Sequence, residues 1–329
     1  MLANLDIVGL GALNVDYIYR VESIQVDGES VVEEVHASPG GSAANTIFGL
    51  ARLGITAGFC GVVGDDETGR LVVEDFAGTG VDTTRIRQLS EAKTGVAICL
   101  SDCSGKRSIY LIPGANSLLG RGELDRDYID HAGMLHLSSF AGEDQLETIA
   151  GLMFRLSAST RISFAPGALY AARGLDSLAQ IIARTNILFV NRDEIRALGG
   201  DDNIVGAAEK CICAGCRTVA VTMGGGGKIK LARGGGEKEV DAACYLRSSD
   251  EEEVVSPVTD EMRQGDSTGA GDAFAAGFLY GVLGKKDLKA CGKLGVAAAL
   301  CSMRDVGARA GLPYREELMD FYQWLQLRE

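Results

Sequence analysis

IVGLGALNVDYIYRV, residues 7–21, offers two folds and then excludes one of them. Gly9 and Gly11 follow an apolar strand, as they do in the turn that holds a dinucleotide. Asn14 stands where that turn needs its third glycine, and a helix should come next to receive the pyrophosphate. Residues 15–21 alternate instead, with Val15, Tyr17, Tyr19 and Val21 on one side of a strand. SVVEEVHA, residues 30–37, continues in an extended register. The first strand therefore leads into further strands, and a dehydrogenase is set aside.

From about residue 40 the pattern changes. AGFCGVVG, MLHLSSF, RISFAPG, NILFVN and RTVAVTM are short, nearly continuous apolar runs, as strands covered on both faces should be. TIFGLARLG, ETGRLVVEDFAG, EDQLETIAGLMFRL and LDSLAQIIAR lie between them with apolar residues three and four apart. This is the signature of an α/β chain built on a mostly parallel sheet, closing with helices at about 270–283, 287–301 and 315–328. TGVAICLSD and KRSIYLIPGAN, joined by the turn CSGK, read as a β-hairpin. The segments at about 15–38 and 94–115 cannot join a parallel sheet through such short connections, so they predict a small antiparallel sheet standing off the main body as a lid. Residues 1–329 read as one domain with that appendage.

The composition agrees. A content of 46% hydrophobic residues over 329 positions supplies a large core, and 44 glycines against five prolines suit many strand-to-helix turns. A net charge of −13 disfavours nucleic acid and anionic membrane as partners. The N-terminal stretch has no basic leader, and no apolar run of about 18 residues appears, which predicts a cytoplasmic protein. Nine cysteines are an odd number and do not resemble a disulfide framework. Cys211, Cys213 and Cys216 have no fourth ligand nearby in sequence and read as small hydrophobes at a helix end. GGGGK, residues 224–228, fails as a phosphate loop, because Thr222 replaces the first glycine and Ile229 the magnesium-binding hydroxyl. It remains either a turn or a segment lying against a nucleotide.

DSTGAGDAFAAGF, residues 266–278, carries the chemistry. Gly269, Ala270 and Gly271 precede a helix with Phe274, Phe278 and Val282 on one stripe. The first N–H groups of a helix have no internal partner and carry partial positive charge, so this bare turn suits an anion. Asp272 lies in the first turn, beside any phosphate held there, and can take a proton from a hydroxyl. SPGGSAANTIFGLARLG, residues 38–54, adds a glycine pair, Gly40 and Gly41, before a helix burying Ala43, Ile47, Leu50 and Ala51; Asn45 is free to donate and accept.

With these two segments the chain resembles the ribokinase-like, or PfkB, family of carbohydrate and nucleoside kinases, from GALNVD near the N-terminus to GARAGLP at 307–313. The resemblance implies a three-layer α/β/α fold with a small β-sheet lid, ATP and magnesium as cofactors, and a sugar or nucleoside as acceptor. It makes Asp272 the catalytic base and Gly269, Ala270 and Gly271 the anion hole. Asn14, Asp16, Gly41 and Asn45 become ligands of the acceptor hydroxyls. Asn191 and Glu194, in NRDE, would organise magnesium and phosphate, and Thr222 and Gly224 would touch ATP. Asp266 and Thr268 match positions that bind a monovalent cation such as potassium in many members, although Asp266 is equally suited to cap a turn. A homodimer formed through the lid sheet is a further expectation.

In FAPG, Ala165 occupies a place where many relatives carry Asp, so acceptor specificity does not transfer from them. Tyr17, Tyr19 and Tyr110 are placed either to stack on a base or to pack on one another. A phosphorylated acceptor would call for clustered basic residues, for which Lys93, Lys106 and Arg107 are available. A sugar-binding protein without activity is the alternative outside enzymes; it has no need of a carboxylate beside an anion turn.

Overall fold

A computed structural model describes residues 4–103, 107–233, 236–257 and 265–327. Thirteen strands are found among them. In chain order they are β1 (Ile7–Leu10), β2 (Asn14–Val21), β3 (Val32–Gly40), β4 (Ala57–Gly64), β5 (Asp82–Leu89), β6 (Gly95–Asp102) and β7 (Arg107–Ile112). Then come β8 (Met134–Ser138), β9 (Arg161–Ala165), β10 (Ile187–Asn191), β11 (Thr218–Arg233), β12 (Gly236–Ser248) and β13 (Glu252–Val255).

Nine of them form one sheet in the order β13-β12-β11-β10-β9-β8-β1-β4-β5, parallel from β11 through β5, with β12 and β13 added antiparallel at one edge. Consecutive residues of a strand feed opposite layers. Leu188 and Val190 join the core on one side, and Ile187 and Phe189 join the core on the other. That is why these strands read as unbroken apolar runs. Helices Ser42–Arg52, Ala270–Leu283 and Leu288–Ser302 cover the second face, and Glu143–Arg155 and Ile204–Cys213 pack in the first core.

The remaining four strands form the lid, ordered β3-β2-β6-β7. The expected antiparallel pairing holds for β2–β3 and β6–β7, while the central pair β2–β6 runs parallel. Of the CSGK turn, residues 104–106 lie outside the described residues. Two polar side chains pin the lid to the body. Asp66, the N-cap of helix Glu67–Gly78, accepts from Thr94 N–H at 2.9 Å and Thr94 Oγ1 at 2.6 Å. Asn116 accepts from Leu13 N–H at 2.9 Å and donates to Asn14 Oδ1 at 3.0 Å. Each replaces the hydration of a buried backbone group where the chain leaves the large sheet.

Tyr17 and Tyr19 stack on each other with ring centroids 6.4 Å apart, as packing aromatics do, and Tyr110 is 58% exposed on the outer strand. Cys211 and Cys216 are buried and Cys213 is exposed; burial pushes the first two thiols up to about 12, so they pack as apolar groups. GGGGK is not a turn between strands. It lies inside β11, where the pairing with β12 slips between Thr222 and Gly227 and Gly224 adopts φ +59°.

Candidate active site

The parallel strands deliver their carboxyl ends to one edge of the sheet, where the lid is rooted. At this edge two glycine positions let backbone approach a neighbouring segment. Gly41 (φ +108°) caps helix Ser42–Arg52 against the carbonyl of Ala12. Gly269 (φ +74°) opens helix Ala270–Leu283, and a Cβ there would stand 2.7 Å from Ala308 Cβ. Gly271, by contrast, faces open space, and no side chain caps this helix end. Ala270 N–H donates to the Ser267 carbonyl at 3.2 Å, while among the described residues the N–H groups of Gly271 and Asp272 meet no acceptor; they are left for a ligand, and an anion is the ligand that the dipole favours.

Asp272 lies half-buried on that first turn. Ser42 Oγ donates to its Oδ1 at 2.7 Å and Asn45 Nδ2 donates to its Oδ2 at 2.9 Å. Burial pushes the carboxyl up to about 7 against the pull of these two donors, and the nearby charges of Asp16 and Glu194 push the same way. A carboxylate of this kind is a base poised at neutral pH.

Asn14 and Asp16 both lie on β2 and are both 8% exposed. Asn14 spends its Oδ1 on Asn116, leaving its Nδ2 to donate. Asp16 packs against the bare Cα of Gly40, where any side chain would collide with it. Burial raises its carboxyl to about 6, with Arg309 pulling the other way. Asn45 is 3% exposed, and both ends of its amide are taken: Nδ2 by Asp272 and Oδ1 by Arg309 Nε at 2.9 Å. Its amide is therefore committed between Asp272 and Arg309.

Asn191 and Glu194 cap helix Arg192–Gly199 reciprocally: Asn191 Oδ1 accepts from the N–H groups of Asp193 and Glu194, and Glu194 Oε2 accepts from Asn191 N–H, each at 2.9 Å. Burial raises the Glu194 carboxyl, Asn191 N–H opposes this, and among the described residues its Oε1 accepts no hydrogen bond. A desolvated carboxylate oxygen whose charge reaches Asp272 fits a divalent cation. Among the described residues no three His, Cys, Asp or Glu side chains form a protein cage for a metal, so such an ion would keep water ligands, as magnesium does. Thr222 pairs in register with Asn191 on the neighbouring strand, and Gly224 is exposed just beyond it, which brings both to this end of the cleft.

Asp266 and Thr268 are together, but not as an open cation site. Asp266 Oδ1 accepts from Thr268 N–H at 2.9 Å, Thr268 Oγ1 at 2.7 Å and Arg107 Nη2 at 2.9 Å. Its Oδ2 accepts from Gly307 N–H at 2.8 Å. Burial works to raise this carboxyl, and these donors together hold it below the usual range. The guanidinium of Arg107, from lid strand β7, already meets the charge that a monovalent cation would meet, so the residues do not fit one well. Turnover in sodium should then equal turnover in potassium within about twofold, and a strong potassium activation, read in the same steady-state assay, would contradict this assignment.

Two contributors escaped the sequence, Ser42 and Arg309, and Arg107, read only as a basic group for a phosphorylated acceptor, pairs instead with Asp266. Ser42 could have been found, because it precedes Asn45 by three residues and so shares its helix face. The two arginines reach the site from elements whose approach depends on tertiary packing.

The profile of the pfkB family carbohydrate kinases matches residues 4–315. An uncharacterized sugar kinase of Archaeoglobus fulgidus is 37% identical over 266 residues, covering 81% of this chain and 98% of that protein. The ATP-dependent ribose-1-phosphate kinase of Halopiger xanaduensis is 30% identical over 298 residues, covering 88% and 90%. Among solved structures, ribokinase from Thermotoga maritima superposes with a TM-score of 0.80 at 26% identity, covering 97% and 99%.

Proposed function

The chain belongs to the pfkB family of carbohydrate kinases, and on that premise we propose that it transfers the γ-phosphoryl group of ATP to the primary hydroxymethyl of a small sugar. The observation that carries this is the pairing of an uncapped helix N-terminus at Gly269–Gly271 with the desolvated carboxylate of Asp272 on the same turn. A phosphate on the turn and a hydroxyl at Asp272 lie side by side, which is the placement phosphoryl transfer to an alcohol needs. Asp272 takes the proton of the attacking hydroxyl as the phosphoryl group transfers. The N–H groups of the turn donate to the oxygens on which charge builds in that group.

Asn14 and Asp16 serve the ring hydroxyls: one donates through Nδ2, the other accepts. Asn45 and Ser42 orient the base, and Gly41 gives the acceptor access to backbone. Thr222 and Gly224 lie where the nucleotide would run along β11. Asn191 and Glu194 would hold magnesium through water, and that ion supplies positive charge to the phosphates when bound. The lid excludes water and so limits ATP hydrolysis.

A nucleoside carries the same hydroxymethyl and is the second acceptor class; Tyr17 and Tyr19 stack on each other and are both only partly buried. A ribose 1-phosphate acceptor also presents that group, and the Halopiger xanaduensis relative supports including it. The basic residues for a second phosphate are sparse: Arg107 is paired with Asp266, Lys93 is exposed, and Lys106 lies outside the described residues. ADP release should therefore appear with at least one member of a panel of ribose, fructose, ribose 1-phosphate and nucleosides; ADP release no faster than ATP hydrolysis for every member would contradict the assignment.

The outer lid strands expose Val35, Ile109, Tyr110, Leu111 and Ile112, and this exposed apolar surface supports a homodimer through the lid. Sedimentation velocity should give a dimer that Ile109→Lys converts to monomer. A monomer at all concentrations would argue against it. Among the described residues no helix is long and apolar enough to cross a membrane.

A further inference from the structure

Arg309 is the most heavily buried charge near the site, 5% exposed, yet it touches neither the anion turn nor the lid strands by hydrogen bond. Its guanidinium lies 5.0 Å from the ring centres of both Phe48 and Phe76. Nη1 pairs with Asp75 of helix Glu67–Gly78, Nε donates to Asn45 Oδ1 at 2.9 Å, and Nη2 is buried without a partner. Desolvating this head, one nitrogen of which stays unmet, costs stability that an apolar pair of similar volume would not. The chain keeps an expensive group here, and the hydrogen bonds indicate its use.

An arginine can only donate. The amide that receives Arg309 Nε must do so through its oxygen, which turns its nitrogen to the other side. On that other side is Asp272 Oδ2, at 2.9 Å from Asn45 Nδ2. We propose that Arg309 is a positioning residue for phosphoryl transfer, fixing the Asn45 amide so that its NH₂ group always meets the Asp272 carboxylate. Without it the amide can rotate by half a turn and set its oxygen against the carboxylate, where it repels the ionised base. This role rests on Asp272 being the base.

The charged groups facing Asp272 come from three other elements: Asp16 from β2, Glu194 from helix Arg192–Gly199, and Arg309 from the loop after helix Leu288–Ser302. Burial is the largest influence on this carboxyl, and Asp16 and Glu194 add to the rise; the NH₂ group of Asn45 leads what opposes it, ahead of Ser42.

The test is the titration of Asp272 in protein labelled with ¹³C at aspartate carboxyls, its signal assigned by comparison with Asp272→Asn. The wild-type midpoint is expected at about 7. Arg309→Gln, which offers an acceptor as well as a donor, should raise it by about 1.3 pH units, the rise that leaves about a tenth as much ionised base at pH 7. The same variant should lower kcat at pH 7 by about tenfold, with recovery as pH rises and an ATP KM within about twofold of wild type. Arg309→Lys, a donor without acceptors, should stay within about threefold.

Should the Gln variant fail to fold, Asp75→Leu with Arg309→Met removes the pair without changing net charge, and its midpoint should also rise. A wild-type midpoint in whichever folded variant is measured overturns the proposal. The titration requires no acceptor, so it is separable from failure of the kinase assignment, which would show as wild-type protein inert toward every acceptor.

Discussion

Asp272→Asn should lower kcat at least a hundredfold, within the range of about 10²- to 10⁴-fold typical for loss of a general base. The substitution is nearly isosteric, and Asn can still accept from Ser42 Oγ through its side-chain oxygen, so folding and ATP binding should be retained. The wild-type enzyme supplies a matching pH signature. Burial raises the Asp272 carboxyl to about 7, and only its ionised form accepts a proton, so kcat should fall as pH drops through about 7 and level off above it. Steady-state kinetics from pH 5 to 9 on both proteins check this. Near-normal turnover in the variant, or an acid limb far below pH 6, would remove Asp272 from the role.

Asp16→Ala should act on the acceptor side. Losing a buried carboxylate leaves ligand hydroxyls unmatched, a cost of roughly 1–3 kcal/mol, or about five- to 150-fold in acceptor KM, with ATP affinity almost unchanged. A second consequence has a definite sign. Asp16 is one of the charges that raise the Asp272 carboxyl, so its removal should shift the acid limb of kcat to lower pH. Isothermal titration with ATP alone, beside the kinetics, separates the two halves of the cleft. Lost ATP affinity with acceptor KM unchanged would reverse the assignment.

The parallel body was legible because its strands are covered on both faces: AGFCGVVG and ETGRLVVEDFAG coincide with β4 and helix Glu67–Gly78 residue for residue. Edge strands were not. β5, DTTRIRQL, is only partly buried along most of its length, so it carries neither a continuous apolar run nor a clear alternation. The antiparallel strands β12 and β13, the second of them the opposite edge, also went unread: GEKEVDAACYLRS begins with charge, and apolar residues gather only near its end. The lid was legible as extended chain, while the parallel pairing of β2 with β6 joins segments some eighty residues apart and has no local signal.

At the site, glycine turns and the residues beside them could be read, since backbone freedom and helix ends are local properties. The partners of those residues could not. Asn45 looked like a ligand of sugar hydroxyls because an amide can both donate and accept; the fold instead commits it between Arg309 and Asp272. Asp266 read equally as a cation ligand or a turn cap, and its ion pair with Arg107, 159 positions away in sequence, has no local signal.

The most direct measurement is ³¹P NMR, with mass spectrometry of the product, after incubating the protein with ATP and magnesium and each acceptor of the panel. A new phosphomonoester on the hydroxymethyl carbon of at least one furanose-type acceptor, formed by the wild type and at least a hundredfold more slowly by Asp272→Asn, is the predicted result. Release of inorganic phosphate without any phosphorylated acceptor, or equal product from both proteins, would contradict it.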